Sequence, residues 1–231
     1  MRICGIQKLS MVDFPGKLAA TVFTGGCNLR CPFCHNALLV TQLDDNPRIE
    51  EDDILTFLKT RKNLLDGVVL SGGEPLLQKG AADFLQKVKD LGFAVKLDTN
   101  GFFPDVLKDI LSRGIVDYVA MDIKNSREKY AGTCGLDHTD LGRLDASLDA
   151  LRQSGVDYEL RTTVVQELHT EADMESIGNW LAGTPRYFLQ KFVDSGNLIS
   201  SGLHGVEKVQ MERFADIVRP HIPVVKLRGI D

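Results

Sequence analysis

Six short apolar runs that alternate with amphipathic helical segments predict an α/β fold for this sequence. Strand–helix units in series give parallel strands joined by right-handed crossovers. Polar motifs stand at the carboxyl ends of several runs, as in barrels whose active sites are assembled from many strand ends. An open, doubly wound sheet instead collects its ligand groups at one switch point. We therefore expect a partial TIM-type barrel of six strand–helix units.

The six predicted strands are rich in Val, Phe and Tyr and are bounded by Gly, Asp or Asn, which is typical of buried parallel strands. They cover Leu18–Thr24, Gly67–Leu70, Phe93–Asp98, Val116–Asp122, Tyr158–Val165 and Tyr187–Val193.

The predicted helices carry apolar residues three and four positions apart, so that each helix can pack one face against the sheet. The apolar sets are Ile54, Phe57 and Leu58; Ala81, Leu85 and Val88; Val106, Leu107, Ile110 and Leu111; Leu141, Leu144, Leu148 and Leu151; Met174, Ile177 and Leu181; and Phe214, Ile217 and Val218.

Composition excludes several classes of protein. The chain has 231 residues, 27 Lys and Arg against 32 Asp and Glu, and 43% hydrophobic residues, which suits one domain over residues 1–231 with a buried core. No apolar run approaches the roughly 18 residues of a membrane span, and the N-terminus lacks the apolar core of a secretory signal. No Lys/Arg cluster indicates a nucleic-acid surface. We expect a cytoplasmic protein that binds neither nucleic acid nor membrane.

Three of the five cysteines, Cys27, Cys31 and Cys34, fall within eight residues. In a reducing compartment, clustered thiols more often bind metal or do redox chemistry than form disulfides. The glycines before Cys27 and the internal Pro32 disfavour a continuous helix, so the thiolates should lie on an irregular loop. Three cysteines suit three corners of a four-iron cluster and leave one iron open to a substrate or cofactor.

Other metal sites fit these cysteines less well. Structural zinc needs four ligands, and His35 could complete the set, but it is adjacent to Cys34 and neighbours rarely both reach one tetrahedral ion. A ferredoxin-type carrier needs a fourth cysteine, for which neither Cys4 nor Cys134 has supporting spacing. Those two cysteines are expected to be small buried residues. The other histidines (His138, His169, His204 and His221) are expected at the surface or in caps.

The cysteine motif, Cys-x3-Cys-x-Phe-Cys with Phe33 as its aromatic residue, resembles that of the radical S-adenosylmethionine (SAM) superfamily. VDFPG, CHN, SGGEP, LDTNG and MDIK follow one another along the chain, at Val12–Gly16, Cys34–Asn36, Ser71–Pro75, Leu97–Gly101 and Met121–Lys124. This set resembles the activating proteins of glycyl-radical enzymes, in particular those of anaerobic ribonucleoside-triphosphate reductase and of pyruvate formate-lyase. The resemblance covers most of the chain.

The resemblance implies a radical SAM fold with a [4Fe–4S] cluster on the three cysteines and SAM on its open iron. One electron, from a flavodoxin or ferredoxin, cleaves SAM into methionine and a 5′-deoxyadenosyl radical. That radical takes a glycine hydrogen from a partner glycyl-radical enzyme. Two alternatives remain: a radical SAM enzyme acting on a small molecule, like 7-carboxy-7-deazaguanine synthase, and a zinc-binding module without catalysis.

Several further residues are candidate cofactor contacts. Gly72 and Gly73 allow close backbone approach to a ligand, and Glu74 can bond an ammonium; the resemblance implies that this stretch holds the amino group of SAM. A turn is the plainer interpretation of the same residues. The additional candidates beside the cluster and SAM are Phe33, Asn36 and Asn100.

Asp98 and Asp122 end successive predicted strands, and carboxylate ligands of this kind suit a hard cation. The resemblance implies a monovalent cation held by Asp98, Thr99 and Asp122, with Lys124 contacting SAM. An ordinary turn and a surface ion pair are the alternatives for these residues.

Arg161 lies within a predicted strand, where a buried arginine needs an anion. The carboxylate of SAM is one candidate, and Glu159 or an outward, solvated position are the others. On the sixth strand relatives can carry a histidine near the cofactor, whereas this chain has Gln190. We assign Gln190 as the candidate contact on the adenosine side of SAM.

Overall fold

The computed structural model describes residues 1–230 of the chain. The strands are β1 (Ile3–Ser10), β2 (Ala19–Thr24), β3 (Gly67–Gly72), β4 (Ala94–Thr99), β5 (Tyr118–Asp122), β6 (Asp157–Val164), β7 (Tyr187–Lys191) and β8 (Val225–Arg228). The helices are α1 (Ala37–Thr41), α2 (Glu51–Lys59), α3 (Ala81–Asp90), α4 (Pro104–Ser112), α5 (Tyr130–Thr133), α6 (Gly142–Ser154), α7 (Glu171–Trp180) and α8 (Lys208–Val218).

All six predicted strands are present as β2 to β7, with ends shifted by at most a few residues, and the α/β class is confirmed. The sequence analysis missed β1 and β8. β1 carries three consecutive exposed residues, which breaks the alternation typical of a half-buried strand. β8 has only four residues, none of them fully buried, so its apolar signal is weak.

The described residues form two compact units that interleave along the chain. The first comprises Met1–Asn28, Leu38–Ala120 and Gly142–Asp157, and the second Leu29–Ala37, Met121–Leu141 and the described residues from 158 onward. β5 contributes its first three residues to the first unit and its last two to the second. The expectation of one domain over residues 1–231 stays a prediction.

The first unit is built on four strands. β1 pairs with β2 antiparallel, whereas β2 with β3 and β3 with β4 run parallel. Thr24 pairs with Gly72 in register, so β2 and β3 end at the same edge of the sheet. The side chains of Val22, Leu70 and Leu97 are fully buried, and burial of an aliphatic side chain of this size contributes about 1.5–3 kcal/mol. A rigid core thus fixes where the segments after these strands begin.

The VDFPG motif closes the opposite end of the same sheet. Phe14 is 3% exposed and packs with Ala19 at the start of β2 and with Val69 and Tyr118. The Asp13 carboxylate accepts a hydrogen bond from the Thr21 hydroxyl at 2.7 Å, which fixes the turn. The motif is therefore structural, and it packs against the start of β2, at the end of this strand that lies away from Cys27.

In the second unit β6, β7 and β8 are parallel, and α7 and α8 pack on one another. α7 begins with a capping box, in which the Thr170 hydroxyl accepts from the backbone of Asp173 and the Asp173 carboxylate accepts from the backbone of Thr170. Every helix in the described part of the chain is too short or too polar to cross a lipid bilayer.

Candidate functional site

Close backbone packing joins the ends of β2 and β3 in the first unit. The backbone N–H of Glu74 donates to the carbonyl of Gly26 at 2.8 Å, and the N–H of Gly73 donates to the carbonyl of Thr24 at 2.9 Å. A Cβ added at Gly73 would lie 2.0 Å from the Gly26 oxygen. Glycine is required at position 73 because its backbone approaches that of Gly26 closely, just before Cys27. The predicted approach of a ligand to Gly72 and Gly73 stays a prediction.

Replacing Gly73 by alanine is expected to lower the free energy of unfolding by about 3 kcal/mol. The added Cβ would overlap the Gly26 carbonyl, and neither segment can move away without breaking the backbone hydrogen bonds that join the ends of β2 and β3. Gly132, in α5, is the matched control, since an added Cβ there meets no atom within 4 Å and its φ is not positive. Gly132→Ala should raise the free energy of unfolding slightly, by about 0.5–1 kcal/mol at most. Urea unfolding of both variants measures this, and equal midpoints would contradict the steric argument.

Glu74 is fully buried and its carboxylate organises the ends of two strands. Oε1 accepts hydrogen bonds from the backbone N–H of Leu76 at 2.9 Å and from the hydroxyl of Thr99 at 2.7 Å. Oε2 accepts from the backbone N–H of Asn100 at 2.7 Å. The carboxylate thus binds its own protein's donors in this structure, and its predicted contact with the ammonium of SAM stays a prediction.

Asn100 continues this network to the first cysteine. Its side-chain amide donates to the side-chain oxygen Oδ1 of Asn28 at 2.8 Å and to the sulfur of Cys27 at 3.7 Å. The sequence predicted Asn100 as a cofactor contact, but it did not indicate a bond to Cys27, which is 73 residues away.

Asp98 pairs with a buried lysine of its own strand. The ammonium of Lys96 contacts Oδ1 of Asp98, and the hydroxyl of Ser71 donates to Oδ2 at 3.3 Å. Lys96 is 1% exposed, so an unpaired charge there would be costly. Asp98 and Thr99 belong to the first unit and Asp122 to the second, and the cation that they are predicted to share stays a prediction.

In the second unit the loop that carries Cys31, Phe33 and Cys34 is held by several contacts. The backbone N–H of Arg30 donates to the carbonyl of Cys134 at 2.9 Å, and that of Ser200 to the carbonyl of Pro32 at 3.0 Å. The ring of His35 stacks on Phe192, and its Nε2 lies 3.0 Å from the carbonyl of Val193. His35 therefore packs the loop against the residues that follow β7.

Cys31 and Cys34 differ in acidity. The pKa of Cys31 is lowered to about 7, first because the side chain of Cys134 hydrogen-bonds it; burial opposes this shift and the charge of Lys124 supports it. Burial raises the pKa of Cys34, although the backbone N–H of Asn36 bonds its sulfur. Because the thiolate is the form that binds metal, Cys31 is the more readily ionised ligand of the two.

Asp122 is the centre of an ion triad. Arg161 donates through Nε to Oδ1 at 2.8 Å, and the ammonium of Lys124 donates to Oδ2 at 2.9 Å. Burial disfavours the ionised form of Asp122, but the Arg161 charge and then the Lys124 charge outweigh it and hold the pKa of Asp122 well below its usual range. Arg161 thus has a carboxylate partner from the protein, and the predicted contacts of Arg161 and Lys124 with SAM stay predictions.

Glu159 and Gln190 lie beside Arg228 of β8. Arg228 binds the fully buried Glu159 carboxylate through two nitrogens at 2.7 and 2.9 Å, and Nη1 lies 3.5 Å from Oε1 of Gln190. Glu159 thus has a cationic partner in Arg228, and its pairing with Arg161 stays one of the open alternatives. The assignment of Gln190 to the adenosine side stays a prediction.

The sequence analysis missed two residues that support the second unit. Cys134 is buried, as expected, but its side chain also forms a hydrogen bond with the side chain of Cys31. His169 was expected at the surface or in a cap and is 4% exposed. Its Nδ1 accepts from the backbone of Val165 at 3.1 Å and its Nε2 faces the carbonyl of Lys124 at 2.9 Å. Neither residue belongs to a motif, and only folding brings either to its partner.

Residues 21–181 match the sequence profile of the radical SAM superfamily, which is most of the chain. The chain belongs to the radical SAM superfamily. Membership implies that it uses a [4Fe–4S] cluster and SAM, and it confirms the resemblance that the cysteine motif indicated.

Two relatives refine this similarity. A Methanocaldococcus jannaschii protein, provisionally named a glycyl-radical enzyme activating enzyme, is 35% identical over 82% of this chain and 79% of its own. The pyruvate formate-lyase-activating enzyme of Clostridium pasteurianum is 34% identical over 54% of this chain and 52% of its own. The similarity to activating enzymes is thus found over nearly the whole chain in one relative and over half of it in the other.

A solved structure supports the fold. A radical SAM methyltransferase from Sphaerobacter thermophilus superposes with a TM-score of 0.73 at 15% identity, covering 95% of this chain and 68% of that protein. At this identity the likeness concerns the fold alone. It confirms the predicted radical SAM fold.

The donor chemistry fits the cluster that the family implies. Cys27, Cys31 and Cys34 are thiols outside any disulfide among the described residues. A four-iron cluster takes each thiolate on a different iron. Three thiols suit such a cluster, and their assignment as its ligands stays a prediction.

Proposed function

We propose that this protein is an activating enzyme that generates a glycyl radical on a partner enzyme, which we infer to be an anaerobic ribonucleoside-triphosphate reductase. The observation that carries the proposal is the similarity, over 82% of this chain, to a protein provisionally named as such an activating enzyme. The CHN, LDTNG and MDIK motifs support it, because in the sequence analysis they favour activating proteins over other radical SAM enzymes.

The cluster and SAM, when bound, supply the radical chemistry, in which one electron cleaves SAM and the product radical takes the glycine hydrogen. The protein supplies ligands and orientation. Cys27, Cys31 and Cys34 would hold iron, and the segment from Gly72 to Glu74 is proposed to lie beside the amino group of SAM. We place the protein in the cytoplasm, with flavodoxin or ferredoxin as reductant.

The net charge of each ion-paired group indicates which charged ligand it can bind. In the second unit Asp122 compensates the charges of Lys124 and Arg161, so this triad contributes one net positive charge. A single positive charge suits the carboxylate of SAM. In the first unit Lys96 neutralises Asp98. The monovalent cation proposed for Asp98, Thr99 and Asp122 is tested by comparing the rates of SAM cleavage in potassium chloride and in choline chloride.

The function is tested by anaerobic reconstitution with iron and sulfide, followed by addition of SAM, dithionite and an anaerobic ribonucleoside-triphosphate reductase. The expected result is an EPR doublet of a glycyl radical on the reductase, with 5′-deoxyadenosine and methionine formed in equal amounts. A reductase whose radical glycine is replaced by alanine is the control and should give no doublet.

Other outcomes would favour the alternatives. SAM cleavage without a radical on the reductase or on pyruvate formate-lyase would favour a radical SAM enzyme with a small-molecule substrate. Purified protein that contains zinc, but neither iron nor sulfide, would favour the non-catalytic module. Either result would contradict the proposal.

A further inference from the structure

A buried hydrogen-bond network leads from Glu74 to the sulfur of Cys27. Glu74 is fully buried and Asn100 is 5% exposed. The Glu74 carboxylate accepts from the backbone N–H of Asn100 at 2.7 Å and from the hydroxyl of Thr99 at 2.7 Å. Because charge-assisted hydrogen bonds in a buried setting are strong, the start of the segment after β4 is fixed in position.

The orientation of the Asn100 side chain is also fixed. Its Oδ1 accepts a hydrogen bond from the backbone N–H of Phe102 at 3.1 Å. A backbone N–H can only donate, so the oxygen must face Phe102 and the nitrogen must face the other way. That nitrogen donates to the side-chain oxygen Oδ1 of Asn28 at 2.8 Å and to the sulfur of Cys27 at 3.7 Å.

Iron binding would change the surroundings of Cys27 in one way. In this structure Cys27 is a thiol, and its sulfur donates towards Oδ1 of Asn28 at 3.9 Å. A cysteine that binds iron is a thiolate without that proton, so it can no longer donate to Asn28. The bond from Asn100 needs no proton on sulfur and is retained.

A hydrogen bond to a cluster sulfur stabilises the reduced cluster more than the oxidised one, because the reduced state carries one more negative charge. Hydrogen bonding to the sulfurs is one of the factors that set the potential of iron–sulfur clusters. We propose that Asn100 raises the reduction potential of the cluster through Cys27, and that Glu74 is a positioning residue which holds Asn100 in place. This inference rests on the cluster of the proposed function.

The test is a redox titration of the reconstituted protein, followed by the EPR signal of the reduced cluster. Asn100→Ala removes the donor but keeps the backbone N–H that Glu74 binds. We expect reduction to become about tenfold less favourable, which for one electron is a potential about 59 mV lower. Asn100→Asp keeps the acceptor for Phe102 while it removes the donor and adds negative charge, so its potential should fall at least as far.

Two further variants separate tuning from general damage. Asn28→Ala removes the other partner of the Asn100 amide and should leave the potential unchanged, since the donor to Cys27 remains. Glu74→Gln weakens the hold on Asn100, so it should lower the potential by less than Asn100→Ala and also lower the urea midpoint of the protein without cluster.

The outcomes separate this inference from the proposed function. If wild type and either Asn100 variant carry equal iron and sulfide and titrate at the same potential, the inference is wrong while the function stands. If both Asn100 variants lose the cluster while Asn28→Ala retains it, Asn100 is needed for cluster assembly and the tuning role is overturned. If wild type takes up no cluster, the proposed function fails, and this inference fails with it.

Discussion

Replacing Cys31 by alanine is expected to abolish the iron–sulfur chromophore and to reduce 5′-deoxyadenosine formation more than 100-fold. Mutation of residues that only support metal ligands already lowers metal affinity or activity about 10–100-fold, and Cys31 is a proposed ligand itself. Cys31 has a pKa of about 7, so it supplies a thiolate near neutral pH, whereas burial raises the pKa of Cys34. Two cysteines cannot hold a cluster that needs three corners. The measurement is iron and sulfide content with the ultraviolet–visible spectrum after anaerobic reconstitution, followed by a SAM cleavage assay.

Cys4→Ala is the matched control, because Cys4 is also a buried thiol, at 4% exposure, but lies outside the motif. It should keep the chromophore and SAM cleavage, with a loss of stability of about 1 kcal/mol for the smaller side chain. Retention of a full cluster and activity by Cys31→Ala would overturn the ligand assignment, and with it the open iron on which SAM binding depends.

Replacing Asp122 by asparagine is expected to lower the free energy of unfolding of the protein without cluster by about 2 kcal/mol. Breaking a fully buried ion pair costs about 3–5 kcal/mol. The Asp122 side chain is 29% exposed, so solvent screens part of the effect and the expected loss is smaller. The reason for the loss is that Arg161 and Lys124, at 14% and 17% side-chain exposure, keep their charges but lose the Asp122 carboxylate as a partner. Urea unfolding measures the difference.

The pH dependence of that difference follows from the two shifted groups. The pKa of Asp122 is lowered in the folded protein, so its contribution is present above the unfolded value of about 3.9 and is lost as the pH falls below it. For Lys124, burial favours the neutral form, but the charges of Asp122 and Cys31 outweigh it and raise the pKa. Its contribution is present below the unfolded value of about 10.4 and is lost as the pH rises through the folded value.

We therefore expect the stability difference between wild type and Asp122→Asn to shrink below about pH 4. Asp216→Asn is the control: Asp216 pairs with Arg219 on the surface, with 67% of its side chain exposed, and should change stability by about 0.5 kcal/mol or less. A difference that disappears near neutral pH would show that the triad does not carry the effect.

The main strands and the three cysteines could be predicted because their signals are local. Buried strands such as Gly67–Gly72 contain a run of consecutive buried apolar residues, here Val68 to Leu70, and a cysteine motif is defined by spacing along the chain. β1 and β8 escaped prediction because exposed residues interrupt one and the other has only four residues. Their strand character comes from pairing with a neighbour, which local sequence does not display.

The sequence by itself determined the residue types: an acid at Glu74, an amide at Asn100, and an arginine within a strand at Arg161. Only the tertiary structure decided their partners. Glu74 meets Asn100 across 26 positions and Arg161 meets Asp122 across 39. The physical reason is that parallel strands become neighbours only after a helical crossover, so the distance between two side chains depends on packing of the whole unit. A buried carboxylate, moreover, takes whichever donors the fold places within about 3 Å.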